Sequence, residues 1–351
     1  MDVADPLHVL VFGAGAIGTY VGGSLAMHGH RAVFVERAEP AAAIEKSGIR
    51  IRTADGAVRE VPRPAFRIAA SAEEALAAGR FDVALVALKS FDVPALVSAT
   101  ETALGRDPAL PVLCLSNGVD NEAVLAEALG LGRVIAGTVT TAVGRRAAGD
   151  VVVEKLRGTG VASGHPLSER LARSMNEAGL NARLFARADD MKWSKLLTNL
   201  LANATSAILD MTPAEIFADP ALYRVEVEQL REALRVMAAL GIRPVDLPGT
   251  PVRLLALAAR LPLALSRPFL SRAVGSGRGG KMPSFHIDLH SGRGQSEVGY
   301  LHGAVVRHGE AAGVATPINR LLTDTLTALT NGTVPLAAYA KHPEKLIEAL
   351  G

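Results

Sequence analysis

The stretch Leu7-His8-Val9-Leu10-Val11-Phe12, followed at once by Gly13-Ala14-Gly15-Ala16-Ile17-Gly18, decides the fold of this chain. Five of its first six residues are apolar and β-prone, so the run reads as a buried strand. The pattern G-x-G-x-x-G then opens a helix predicted over Gly18–His28. In that context each glycine has a task. Gly13 permits a tight turn, Gly15 lets backbone approach a pyrophosphate, and Gly18 lets the helix pack closely on the strand. Phosphates at that helix N-terminus meet free N–H groups and a favourable dipole. The loop Gly13–Gly18 is therefore expected to bind a dinucleotide.

Beyond the loop, short β-rich runs alternate with helical patterns. Strands are predicted at Ala32–Val35, Val83–Ala87, Val112–Leu115 and Val134–Gly137, with a further pair at Val151–Val153 and Gly158–Ala162. Such alternation implies βαβ units and a parallel sheet. From about Arg187 helical patterns take over: Met191–Asp210, Pro213–Phe217, Tyr223–Leu240, Gln295–Ala312 and Pro317–Thr330. The fold class expected is α/β, an N-terminal Rossmann-type doubly wound parallel sheet with a C-terminal all-helical domain. The domains are placed at residues 1–185, binding the dinucleotide, and 186–351, carrying substrate and catalysis.

Composition supports this reading. With 351 residues, 49% of them hydrophobic and 21% charged, the chain can bury a large core and is not disordered. The net charge is +2, from 37 basic and 35 acidic residues, without a basic block, which argues against a nucleic-acid partner. The single cysteine, Cys114, excludes an internal disulfide framework and fits a reducing cytoplasm. No basic segment precedes the first apolar run, so no signal peptide is read there. The apolar tract Val252–Val274 is broken by Arg260, Pro262, Arg267 and Pro268. It reads as two buried helices or a lid, not a membrane span. Gly275–Gly280 behind it reads as a flexible loop.

Two clusters carry chemistry. Glu36-Arg37 ends the second strand. An acid there holds the ribose hydroxyls of NAD, whereas an arginine pairs with the 2′-phosphate of NADP, and this chain offers both. In Met191-Lys-Trp-Ser-Lys195-Leu-Leu-Thr-Asn199-Leu-Leu-Ala-Asn203, a helix would put Lys195, Asn199 and Asn203 on one face at i, i+4, i+8. A partly desolvated lysine among amides can serve as an acid near neutral pH. The alternative is a solvated polar stripe.

At this point the chain resembles the ketopantoate reductases. The likeness rests on GAGAIG, on ALKSFDV around Lys89, on SNGVDN around Asn117, on KWSKLLTNLLAN around Lys195, and on the run from Pro283 to Leu322. It implies NADPH-dependent reduction of a 2-keto acid, ketopantoate, to D-pantoate for pantothenate and coenzyme A. By this resemblance Lys195 is the general acid and stabilises the developing alkoxide. Glu297 orients the substrate hydroxyl, and Ser284, Asn199 and Asn203 bind substrate. Asn117 lies near nicotinamide and substrate, and Lys89 lies near the cofactor. Arg37 takes the NADP phosphate, although Glu36 keeps NADH open.

Each of these has a plainer reading: an N-cap at Ser284, a turn at Asn117-Gly118, a solvated cation at Lys89. The chain also departs from the pattern E-I-D-Y-x-N-G after Glu297. Gly299 replaces an aspartate and His302 an asparagine, which leaves open another keto acid. A nucleotide-binding sensor without catalysis is a third reading. His286, His290 and His302, spaced by four and twelve, supply no third ligand of local logic, so no metal is expected. Partners are a small 2-keto acid, no nucleic acid and no membrane, in a monomer or homodimer.

Overall fold

A computed structural model of the chain describes residues 5–77, 79–105, 108–277, 280–292 and 294–349. The main sheet has eight strands: β1 (His8–Phe12), β2 (Arg31–Val35), β3 (Phe66–Ala69), β4 (Val83–Val86), β5 (Val112–Cys114), β6 (Val134–Val139), β7 (Thr159–Ala162) and β8 (Ala182–Phe185). Their order is β8-β7-β6-β5-β4-β1-β2-β3. The six strands from β6 to β3 are all parallel, and β7 runs antiparallel to β6. The sheet is thus parallel in its core and mixed at one edge. Val151–Val153 and Gly158–Ala162 are not a pair. The former belongs to a separate four-stranded sheet, within Asp150–Lys155.

Alternation along the strands explains why this sheet is buried on both faces. Val9, Val11, Val83, Leu85 and Leu113 pack into one apolar cluster, whereas Leu10, Phe12, Ala84, Val86 and Val112 pack into another. A parallel sheet wrapped on both sides produces this unbroken hydrophobic run. The strand order reverses beside β1, between β2 and β4, where open α/β sheets bind ligands beyond their carboxyl ends.

The chain divides into two units between Lys192 and Trp193, with Leu247–Thr250 belonging to the first. Among its described residues the second unit's regular secondary structure is all helical. The helices used below are α1 (Ala16–Met27), α2 (Asn121–Leu129), α3 (Ala188–Leu200), α4 (Asn203–Leu209), α5 (Pro220–Ala239), α6 (Val252–Arg260), α7 (Leu263–Gly277), α8 (Ser284–His290) and α9 (Val298–Ala311).

Four expectations need correction. The single helix over Met191–Asp210 is two, α3 and α4, broken at Ala202, which adopts a left-handed φ of 52°. Helix α9 begins at Val298, with Glu297 at its N-cap, not at Gln295. The Val252–Val274 tract forms two helices, but they are buried only in part, through residues such as Val252, Ala259 and Leu270. Leu254, Leu257 and Leu265 are exposed, and Phe269 is 67% exposed. Gly275–Gly280 is helical up to Gly277, while Arg278 and Gly279 lie outside the described residues. Among the described residues no helix is long and apolar enough to cross a membrane.

Candidate active site

The glycine loop has the geometry its sequence requires. Gly13 has a φ of 93°, and a Cβ there would meet Leu88 Cδ2 at 2.6 Å. A Cβ on Gly18 would lie 1.8 Å from the Gly13 carbonyl oxygen, so helix and strand approach as only glycine allows. A Cβ on Gly15 would meet nothing within 4 Å. Gly15 is the N-cap of α1 and no side chain caps that end. Ala16 and Ile17, half-buried, form its first turn. These residues fit a dinucleotide, with open space over Gly15 and the helix N-terminus behind it.

Glu36 and Arg37 differ sharply. The Glu36 carboxylate is turned onto the loop, accepting from Ala14 N and Arg37 N, both at 2.9 Å. Its side chain is 14% exposed, against 84% for Arg37, whose Nε lies 3.8 Å from it. The acid braces the loop while the guanidinium reaches into solvent.

Loops after β4 and β5 are stitched together. Ser90 Oγ donates to Asn117 O at 2.8 Å, and Ser116 Oγ donates to Leu88 O at 2.8 Å. Asn121 Nδ2 donates to Asn117 O as well. Lys89, half-buried, caps the short 3₁₀ turn Ser90–Asp92. Asn117-Gly118 is indeed a turn, with Gly118 at a φ of 87°, but a clamped one. Beneath it Lys192 is buried, donating through Nζ to Ser116 O at 2.7 Å and Gly137 O at 3.3 Å. Its ion pair with Glu122 of α2 spans 2.7 Å. Burial is the largest single influence and pushes the Lys192 pKa down, but the charge and hydrogen bond of Glu122 together with the neighbouring Cys114 outweigh it, so the ammonium is held above its usual range. Lysine-192 and Glu122 escaped the sequence reading, because a buried lysine carries no signal in its residue type.

In the helical unit, Lys195 is half-buried and Asn199 is buried one turn later on α3. Asn203 does not continue that face but starts α4. Its Nδ2 still donates to Asn199 O at 3.1 Å. Its Oδ1 accepts from Phe285 N at 3.0 Å and lies 3.4 Å from Ser284 Oγ. Asn203 therefore caps α8 from another helix. Ser284, exposed, is the first residue of α8 and not its N-cap, which is Pro283. Glu297 is buried, at the start of α9.

A buried chain of polar groups sets the break at Ala202. Glu226 of α5 accepts from Ala202 N at 2.7 Å, from Thr205 Oγ1 at 2.6 Å and from Gln229 Nε2 at 2.7 Å. Gln229 Oε1 in turn accepts from His302 Nε2 at 2.9 Å. Since Gln229 offers an acceptor there, Nε2 carries the proton. His302 Nδ1 is then an acceptor without a hydrogen-bond partner. Burial drops the His302 pKa to about 3, so the ring is neutral, and raises that of Glu226 to about 7. His302 lies against Phe285, ring centroids 5.8 Å apart. At Gly299 a Cβ would meet nothing within 4 Å, so sterics do not demand glycine there.

A parallel core sheet with a glycine loop at its switch point, and a helical unit after it, defines a Rossmann-type dinucleotide-binding protein of two units. Residues 9–164 match the family described as ketopantoate reductase PanE/ApbA, and residues 187–330 match its C-terminal counterpart. The chain belongs to the ketopantoate reductase family. A 2-dehydropantoate 2-reductase of Halobacterium salinarum is 28% identical over 332 residues, covering 91% of this chain and 97% of that protein. The crystal structure of a PanE/ApbA family ketopantoate reductase from Ralstonia eutropha JMP134 superposes with a TM-score of 0.78 at 25% identity, over 93% of this chain and 99% of that one. A D-mandelate dehydrogenase in ternary complex with NADH and anilino(oxo)acetate shares the fold, with a TM-score of 0.74 at 20% identity and coverage of 93% and 99%.

Proposed function

We propose that this chain reduces 2-dehydropantoate to D-pantoate with NADPH. The observation that carries the reading is Lys195, half-buried one turn before the buried Asn199, in a chain matched by both family models. Bound NADPH supplies a hydride to the keto carbon. Gly13–Gly18 hold the pyrophosphate, Arg37 pairs with the 2′-phosphate, and Lys89 and Asn117 border the cofactor. Lys195 Nζ gives its proton to the carbonyl oxygen as that oxygen gains charge, and recovers it from solvent. Glu297 orients the substrate hydroxyl. Ser284 and Asn199 bind the substrate's polar groups, and Asn203 holds Ser284 in place. The site of action is a reducing cytoplasm, where burial holds the Cys114 thiol pKa well above its usual range.

Two observations favour variants of this reading. Glu36, at the strand end, is the acid that ribose hydroxyls of NADH select. Gly299 and His302, two and five positions after Glu297, depart from the family pattern and favour a different 2-keto acid.

The test is loss of nicotinamide absorbance with purified protein, NADPH and NADH separately, on 2-dehydropantoate and a panel of 2-keto acids. Saturable turnover with NADPH and 2-dehydropantoate is expected. Turnover only with another keto acid moves the substrate and keeps the chemistry. Nucleotide binding with silence across the panel overturns the enzyme reading. Lys195→Ala is expected to lower kcat by about 100-fold or more with nucleotide affinity unchanged.

A further inference from the structure

Asp210, His286 and His290 lie together in the helical unit, and their ligand atoms all fall within 4.8 Å of one another. His286 and His290 stand four residues apart on α8, so their rings share one face, with centroids 4.2 Å apart. Asp210 comes from a distant point in the sequence. It ends α4 in a left-handed conformation with a φ of 50°, and its Oδ1 lies 2.7 Å from His286 Nε2. The histidine spacing alone offered no third ligand; the packing of α4 on α8 supplies it.

We propose that these three side chains form a binding site for a divalent late first-row metal ion, such as Zn²⁺. Two imidazoles and one carboxylate are borderline-soft donors that favour Zn²⁺, Ni²⁺ or Cu²⁺ over the oxygen-seeking Mg²⁺ and Ca²⁺. The His286 ring and the Asp210 carboxylate are partly exposed, and His290 is exposed, so water can complete the coordination. To admit the ion, the hydrogen bond between His286 and Asp210 opens, and any proton shared there is released.

The ion would join α4 to α8, the two helices already tied by Asn203 and Phe285 N. Binding of the ion does not rest on the proposed function.

The experiment is calorimetric titration of the chelator-treated protein with Zn²⁺, and with Mg²⁺ as control, alongside thermal melting. One Zn²⁺ per chain, no Mg²⁺ binding and a rise in melting temperature are expected. His290→Ala, at an exposed position, should weaken Zn²⁺ binding by about tenfold or more and abolish the thermal shift. Asp210→Asn should do the same, whereas His342→Ala, at an exposed histidine elsewhere, should change nothing. Absence of Zn²⁺ binding overturns the site. So does binding that survives His290→Ala, which would mark an adventitious ion only. Because neither readout uses turnover, failure of the keto-acid assay leaves this test intact.

Discussion

Six consecutive residues, Gly13–Gly18, build the glycine loop between one strand and one helix, braced by Glu36. The polar network of the helical unit is assembled differently. Asn203, Glu226, Ser284 and His302 come from four helices, and each is placed by a partner remote in sequence. The loop depends on what its residues lack, a Cβ. The network depends on what its residues carry, donors and acceptors that are mostly buried and mostly matched. Errors in the first are steric and abrupt; errors in the second are electrostatic and follow pH.

The sharpest test of the loop is Gly18→Ala. With the Gly13 carbonyl 1.8 Å from the new Cβ, strand and helix must separate. A stability loss of about 3 kcal/mol is expected in urea unfolding, with nucleotide affinity falling in parallel. Retention of both would show that the loop tolerates side chains. On the other side, Glu226→Ala leaves Ala202 N buried without an acceptor, which should cost about 2 kcal/mol and raise KM for the keto acid.

Glu226→Gln separates shape from charge. The folded carboxyl titrates at about 7 against an ordinary 4.5, so its contribution is whole below pH 4.5 and is lost as pH rises to about 7. Glutamine keeps an acceptor for Ala202 N and abolishes that slope in unfolding midpoints measured against pH. His302 acts in the opposite direction. Its folded pKa is lowered to about 3 from 6.5, so stability present above pH 6.5 is lost as pH falls toward 3. His302→Asn should flatten the acid limb and leave the neutral limb alone. Arg37→Ala is the mildest. The side chain is exposed, so folding is unaffected, while KM for NADPH rises about tenfold and KM for NADH does not. An equal rise for both nucleotides would return the 2′-phosphate role to another group.

The same contrast explains what could be read in advance. Strand β1, the glycine loop and the change to helices near residue 187 are periodic, local features, and the sequence showed them. The break at Ala202 is not local. Nothing in Leu200-Leu-Ala-Asn203 stops a helix; the stop comes from a carboxylate on α5. The capping of α8 by Asn203 is hidden for the same reason, as is the burial of Lys192 against Glu122. The exposed apolar residues of α6 and α7 narrowed an expectation, because hydrophobic content does not report which face of a helix is covered.

The left-handed joint at Ala202 also bears on how such a chain can change over generations. It puts Lys195 and the asparagine that holds Ser284 on separate helices, linked by two residues, Leu201 and Ala202, and one buried carboxylate. Substitutions at or beyond the joint can re-aim the grip while the lysine stays where it was. Under the proposed mechanism, inheritance of the chemistry and drift in what is recognised are thereby uncoupled.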